Sequence, residues 1–239
     1  MKILLVGHGK MGKLLESTAI AAGDEVVGCF DHTNLSELDH TGSIADVVIE
    51  FSRPETLDAV SRYIRRTGTP LVSGTTGYSQ QQMEQMLALG DAAPVLWSAN
   101  YSVGIAVFVR MLRQVSDTLK PDFDVEVTET HHNQKADAPS GTAKLLVDAI
   151  DPKHELTPVY GREGSCGKRQ KEEIGIHALR GGTVAGTHAV HFFGMDEELE
   201  ITHRAASRQI FVNGALAMAR RMVNKPNGVY DLQKILFGE

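Results

Sequence analysis

"KILLVGHGKMG", residues 2–12, decides the fold. The apolar run Ile3–Val6 ends in three glycines spaced G-x-G-x-x-G, and the residues from Lys13 to Ala22 follow helical periodicity. Continuous apolar runs of this length are what parallel strands covered on both faces require. The glycine spacing has a specific use in such a strand–turn–helix. Gly7 permits the tight turn, Gly9 lets the backbone approach a pyrophosphate, and Gly12 lets helix and strand pack closely. The helix N-terminus then faces the phosphates with unpaired N–H groups. Asp31 ends the second apolar run, at the spacing where a carboxylate meets ribose hydroxyls. These features favour a bound dinucleotide over a tight βα turn with incidental glycines.

Working outward, the same alternation recurs. Apolar runs at Ile3–Val6, Glu25–Phe30, Asp46–Phe51, Thr69–Val72 and Pro94–Trp97 are separated by amphipathic stretches at Met11–Ala22, Glu55–Arg66 and Gln80–Leu89. Residues 1–102 therefore read as an α/β domain with a Rossmann-type parallel sheet. From residue 122 the period becomes two, at Phe123–Thr130, Glu173–Leu179, Gly186–Phe193 and Glu198–His203. Residues 103–208 thus predict an α+β domain with a predominantly antiparallel or mixed sheet and few helices. Its second apolar face is covered either by a helix of this chain or by another subunit. Gly161–Lys171, rich in glycine and charge, reads as a mobile loop. Residues 209–239 carry helical patterns at Gln209–Met222 and Tyr230–Phe237, expected to return to the first domain.

Composition narrows the function. The 239 residues are 42% hydrophobic and 23% charged, ordinary for a folded soluble protein. A net charge of −6 argues against a nucleic-acid partner. No apolar run approaches the ~18 residues of a membrane span, and the N-terminus lacks the pattern of a secretory signal. With only Cys29 and Cys166 there is no disulfide framework, so the expected location is the cytoplasm.

Three further segments carry chemistry. "SGTTG" (Ser73–Gly77) and "SANYSVG" (Ser98–Gly104) follow apolar runs, where open α/β sheets bind ligands; Asn100 is able to hydrogen-bond an amide there. "HHNQKADAPSGTA" (residues 131–143) brings His131, His132 and Lys135 to a helix start. Ser140 is the natural N-cap, and Gly141 and Thr142 supply first-turn N–H groups. Together with Lys135 and the imidazoles they favour a small dicarboxylate over a merely solvated, serine-capped loop. Adjacent histidines in an extended segment point opposite ways and cannot form a helical zinc pair, so no metal is expected.

The segment "ETHHNQKADAPSGTA" resembles the E-x-H-H-x-x-K-x-D-A-P-S-G-T signature of the 4-hydroxy-tetrahydrodipicolinate reductase (dihydrodipicolinate reductase) family. The resemblance covers nearly the whole chain, through "VGHGKMG", "EFSRPE", "SGTTG", "SANYSVG", "LRGGTVAGTH" and "EITHRAASRQIFVNGA". It implies NAD(P)H-dependent reduction of 4-hydroxy-tetrahydrodipicolinate in diaminopimelate and lysine biosynthesis. It also implies a substrate domain with tetramer contacts, a homotetramer, and hinge closure between the domains. By the same resemblance His131 and Lys135 are catalytic, Lys135 being the proton donor. His132, Ser140, Gly141 and Thr142 meet substrate. Gly7, His8, Gly9, Lys10, Met11, Gly12, Asp31, Gly74, Thr75, Thr76, Ser98, Ala99, Asn100 and Tyr101 meet the cofactor.

The chain departs from the family in a trimmed stretch between Asp31 and Asp46, and in carrying Ser98 and Tyr101 where alanine or proline and phenylalanine are frequent. Asp31 suits the ribose of NADH, and Lys10 and Lys13 can offset it. Both NADH and NADPH are expected to serve, with a lean towards NADH. The alternatives on sequence grounds are another nicotinamide-dependent reductase of small amino or dicarboxylic acids, and a dinucleotide-sensing regulator. The regulator would need a DNA-binding module and a basic face, and neither is visible.

Overall fold

In the computed structural model, which describes residues 1–238, the N-terminal apolar run is strand β1 (Lys2–Val6). Ile3, Leu4, Leu5 and Val6 are all buried, as a strand covered on both faces must be. The chain divides into two compact units: Met1–Ser102 together with the chain from Gln209 onward, and Val103–Arg208.

In the first unit, β1 is followed by α1 (Lys10–Ala21), β2 (Glu25–Phe30), β3 (Val47–Glu50), α2 (Leu57–Thr67), β4 (Leu71–Ser73), α3 (Gln80–Leu87) and β5 (Pro94–Trp97). These strands pair in parallel in the order β5-β4-β3-β1-β2. The order reverses at β1, which opens a crevice at the carboxyl ends of β1 and β3, where α/β sheets take ligands. Two glycines are dictated there. Gly7 has φ +97°, and a Cβ on it would strike the Phe51 carbonyl; a Cβ on Gly12 would strike the Gly7 carbonyl.

The second unit contains α4 (Val103–Leu119), β6 (Asp124–His131), α5 (Gly141–Ile150), β7 (Thr157–Tyr160), β8 (Glu173–Arg180), β9 (Gly186–Phe193) and β10 (Glu198–Ala205). Its sheet runs β10-β9-β6-β8-β7. It is mixed: β6, β8 and β7 are parallel, while β9 is antiparallel to β6 and β10. The edge strand β7 escapes sequence patterning because it is short, mostly exposed and contains Pro158, a residue sheets confine to edges. One face is covered by the chain's own helices. Ile105, Phe108 and Leu112 of α4 and Leu146 and Ile150 of α5 pack on Val125, Val127, Ile174, Val190 and Phe192. The opposite face, with Glu126, His177 and the exposed Leu179 and Phe193, carries no helix of this unit among the described residues.

From Gln209 the chain rejoins the first unit. Helix α6 (Gln209–Met222) brings Gly214 so close to the Tyr101 carbonyl that a Cβ would collide with it. The Gln209 amide donates to Thr18 Oγ1 at 3.0 Å. Strand β11 (Gly228–Tyr230) then pairs with β5, and α7 (Leu232–Phe237) starts at the Asp231 cap. The sequence reading began this last helix at Tyr230. A three-residue strand is too short to show a period, and pairing to the open edge of β5 claims it.

The segment Gly161–Lys171 has no regular structure, but charge clamps it at both ends. Arg162 donates to both oxygens of Glu126 at 2.9 and 3.0 Å and to Glu173 at 3.0 Å. Arg169 reaches Glu126 at 3.1 Å and Asp124 at 2.9 Å. His177 Nε2 is 2.7 Å from Glu126 as well. Gly175 makes room for that carboxylate, since a Cβ there would occupy its place.

Burial by itself pushes Glu126 up, but hydrogen bonds from Arg162, His177 and Arg169 outweigh it and hold the carboxyl at about 2. A depressed folded-state pKa gives stability that is present above the unfolded value and lost as pH falls through the folded one. Glu126→Gln is therefore expected to cost about 1–3 kcal/mol at neutral pH. It should also flatten the acid dependence of stability between the ordinary 4.5 and 2. Urea unfolding at stepped pH measures both; an unchanged acid limb would show that Glu126 is not the titrating clamp.

Candidate active site

The start of α1 is built to receive an anion. Gly9 is its N-cap and has no side chain to cap the first turn, no acidic residue stands in that turn, and open space lies where a Cβ of Gly9 would be. The turn thus presents the cradle a pyrophosphate needs. Lys10 and Lys13 are exposed, Met11 is half-buried, and His8 Nε2 lies 2.8 Å from Glu16. At the end of β2, Asp31 Oδ1 accepts from the Thr33 hydroxyl at 2.6 Å and the Thr33 N–H at 2.8 Å. These bonds, the hydroxyl's first, hold the Asp31 carboxyl below its usual range. It is an anionic acceptor at neutral pH.

A buried carboxylate that sequence reading passed over organises the next two turns. Glu50, at the end of β3 and 1% exposed, accepts from the Ser52 N–H at 3.0 Å, from Ser73 Oγ at 2.5 Å, from Tyr78 OH at 3.3 Å, and from the hydroxyls of Ser52 and Thr75. Trp97 Nε1 donates to the Thr75 carbonyl at 2.8 Å. The "SGTTG" turn is therefore anchored through Thr75, while Gly74 presses so close to the Phe51 ring that no side chain fits, and Thr76 is exposed. The signal was present in "EFSRPE", as an acid ending a buried strand, but its hydroxyl partners come from β4 and beyond.

The third turn is self-bonded. Ser98 Oγ donates to the Asn100 carbonyl at 2.8 Å, and Asn100 Oδ1 accepts from the Ser102 N–H at 2.8 Å. Ala99 is exposed. The Tyr101 side chain is 1% exposed and its hydroxyl donates to the Ser73 carbonyl at 2.7 Å. That ring belongs to the core, and only the backbone at 101 can meet a ligand.

In the second unit the structure brings His131, Ser140 and the start of α5 together around Glu129. This side chain has no exposed surface. Arg180 donates to both of its oxygens at 2.9 and 2.8 Å, His131 Nδ1 lies 2.5 Å from Oε2, and the Ser140 N–H donates to Oε1 at 3.1 Å. Burial would raise the Glu129 pKa, but the bonds from Arg180 and His131 carry it below the ordinary value. An ionised carboxylate only accepts, so Nδ1 of His131 carries hydrogen and Nε2 faces away from the carboxylate. Gly186 faces that nitrogen: a Cβ there would stand 3.1 Å from Nε2. Ser140 Oγ accepts from Ala143 N at 3.2 Å, capping α5, and Gly141 has open space around it. Lys135 is 21% exposed at its side chain and donates to both oxygens of Asp137, at 2.8 and 3.0 Å, a partner the sequence reading did not assign. His132 is half-buried, beside the buried His131.

A cavity of about 590 Å³ lies elsewhere, bounded by Ala138, Pro139, Lys144, Tyr160, Ile176 and Ala178 among others. It meets the signature segment only at Ala138 and Pro139. His191, Glu198 and Glu200 place ligand atoms within 4.8 Å of one another. They are satisfied as a surface hydrogen-bond group, His191 with Glu198 at 2.7 Å and Thr202 with Glu200.

Residues 1–101 match the family model for dihydrodipicolinate reductase, N-terminus, and residues 104–236 match that for its C-terminus. The 4-hydroxy-tetrahydrodipicolinate reductase of Clostridium tetani is 42% identical over 248 residues, covering 99% of this chain and 97% of that protein. The protein of that name from Staphylococcus aureus strain JH9 is 42% identical over 243 residues, covering 98% and 100%. Among solved structures, a dipicolinate-bound dihydrodipicolinate reductase from Paenisporosarcina sp. TG-14 superposes with a TM-score of 0.78 at 21% identity, over 99% of both chains, and shares the fold.

Gly186→Ala would bring a methyl group to 3.1 Å from His131 Nε2, so that the ring must give way by a few tenths of an ångström. Turnover is expected to fall about tenfold. The backbone φ of +158° at this position also strains any side chain, so thermal stability should fall as well, and turnover is compared at a temperature where both proteins are folded. Wild-type turnover in this variant would show that Nε2 is not the face that works.

Proposed function

The chain belongs to the dihydrodipicolinate reductase family, and we propose how its side chains divide that family's reaction. The reaction is the NAD(P)H-dependent reduction of 4-hydroxy-tetrahydrodipicolinate to tetrahydrodipicolinate, in the diaminopimelate route to lysine. The C4 hydroxyl leaves as water, and the nicotinamide, when bound, would supply the hydride that takes its place at C4, with one proton consumed overall. The side chains bind, orient and deliver the proton that must follow.

Gly7, His8, Gly9, Lys10, Met11 and Gly12 cradle the pyrophosphate, Asp31 takes the adenosine ribose, and Gly74–Thr76 with Ser98–Tyr101 border the nicotinamide. The open space at Gly9 and the hydroxyl-anchored Thr75 turn support this assignment. Gly141 and Thr142, opening α5, bind one substrate carboxylate, with Ser140 holding the turn and His132 adding a contact. Lys135 pairs with the substrate and donates the proton, leaving Asp137 to do so. His131 stabilises developing charge through Nε2.

The observation that carries this reading is Glu129, whose two oxygens hold the catalytic imidazole and the first residue of the carboxylate turn. One rigid group thereby sets both the proton-handling and the substrate-binding geometry. Oxidation of NADH or NADPH with enzymatically generated 4-hydroxy-tetrahydrodipicolinate tests it. Lys135→Ala should lower turnover by about a hundredfold or more, within the range for general acids, with cofactor affinity unchanged. Near-normal turnover would remove Lys135 from the mechanism.

We also propose a homotetramer built through the uncovered face of the second unit's sheet, where Leu179 is 53% and Phe193 41% exposed. The substrate is a small metabolite, and no helix is long and apolar enough to cross a membrane. The unbridged Cys29 and Cys166 fit a cytoplasmic enzyme.

Cofactor choice turns on opposing charges. The ionised Asp31 repels a 2′-phosphate, and the exposed His32 is no substitute for an arginine. Lys10 and Lys13 act the other way. Exposed contacts of this kind are worth little, so both cofactors should serve, with an NADH lean below about a hundredfold in kcat/KM. An NADPH preference abolished by Lys10→Ala or Lys13→Ala would show that the lysines dominate.

A further inference from the structure

The covered face of the second unit's sheet changes character along its strands. On β6 it runs Val125, Val127, Glu129, His131; on the antiparallel β9 it runs Phe192, Val190, His188, Gly186. In register, His188 lies opposite Glu129 on one side and His203 on the other. Hydrophobic packing thus gives way to a row of polar groups beside the start of α5. His188 is the residue of that row to which the reaction assigns no part.

His188 is 4% exposed. Its Nε2 is 3.1 Å from Ser140 Oγ, and its ring meets the His131 ring edge-on, with centroids 5.1 Å apart at 73°. Burial, then the neighbouring His131, push its pKa down to about 4, so it is a neutral imidazole. Ser140 Oγ also accepts from the Ala143 N–H, so it joins His188 to the first turn of α5. His188 Nδ1 has no hydrogen-bond partner.

The contacts close a ring. Glu129 Oε2 holds His131, Glu129 Oε1 holds the Ser140 N–H, Ser140 Oγ holds His188, and the His188 edge abuts His131. We propose that His188 is a positioning residue that locks the His131 ring and the Ser140–Thr142 carboxylate turn into one unit, so that substrate binding and proton handling share a fixed geometry. This rests on the assignment of that turn and of His131 given above. His188 itself touches no reacting atom.

The test compares His188→Ala and His188→Gln with the wild-type enzyme. Glutamine keeps an acceptor near Ser140 Oγ but not the ring edge. For His188→Ala, kcat/KM for 4-hydroxy-tetrahydrodipicolinate should fall about tenfold to a hundredfold. Dipicolinate binding should weaken about tenfold, while NADH affinity, read by fluorescence, stays constant. For His188→Gln, dipicolinate binding should recover while kcat stays low. Nitrogen-15 spectra of histidine-labelled protein should show the His131 ring signals broadening in both variants, as a ring held by Glu129 alone becomes mobile. If His188→Ala does not fold, His188→Gln carries the test alone. Wild-type kcat and dipicolinate affinity in the glutamine variant, or parallel loss of NADH binding, would overturn the proposal. A wild-type enzyme inactive on the substrate would instead defeat the functional reading, with the dipicolinate and spectral results still reporting on His188.

Discussion

A carboxylate with no exposed surface stays charged only if donors replace the water it has lost, and Glu129 meets that condition on every side. A bidentate guanidinium from β8, an imidazole two residues along its own strand and a backbone N–H from the turn before α5 all converge on it. Removing any one would leave a buried charge short of partners, which is why such groups hold geometry so firmly. The orientation of His131, the placement of Ser140 and the start of α5 all follow from this one residue. The parallel pairing of β6 with β8 is equally necessary, because it sets Arg180 beside the end of β6.

The first unit solves a similar problem with different chemistry. Glu50 is as buried as Glu129 but takes its hydrogen bonds from hydroxyls and one backbone N–H, with no arginine or lysine among its hydrogen-bond partners. Those donors come from the turn after β3, from β4 and from the segment beyond it, so one side chain ties neighbouring βα turns together at the ligand-binding edge. Neutral donors suit that place. Hydroxyls fix the turns without adding net positive charge there.

Much of this was legible from the chain alone. The period-two alternation of "DVEVTETH" assigns Glu129 and His131 to the same face as Val125 and Val127. The glycine turn is nearly self-explanatory, since Gly7 and Gly12 each meet a backbone carbonyl where only hydrogen fits. Less was visible where one residue serves another far along the chain. Arg162 and Arg169 look like part of a mobile stretch until β6 presents Glu126 and Asp124 to them. The Tyr101 side chain looks like part of the ligand turn until its hydroxyl is found on the Ser73 carbonyl.

By itself the sequence determined the local and periodic features: the strand–glycine–helix opening, the change from helix-linked to alternating strands, and a polar turn with a serine cap. These depend on steric limits and on side-chain direction over a few residues, which any stretch carries within it. Only the tertiary structure decided which groups complete the site. Arg180 stands 51 positions from Glu129 and His188 stands 48 from Ser140, separations that no sequence pattern links. Strand register alone brings them into contact. A buried charge takes whichever donors the fold delivers, and no local rule names them in advance.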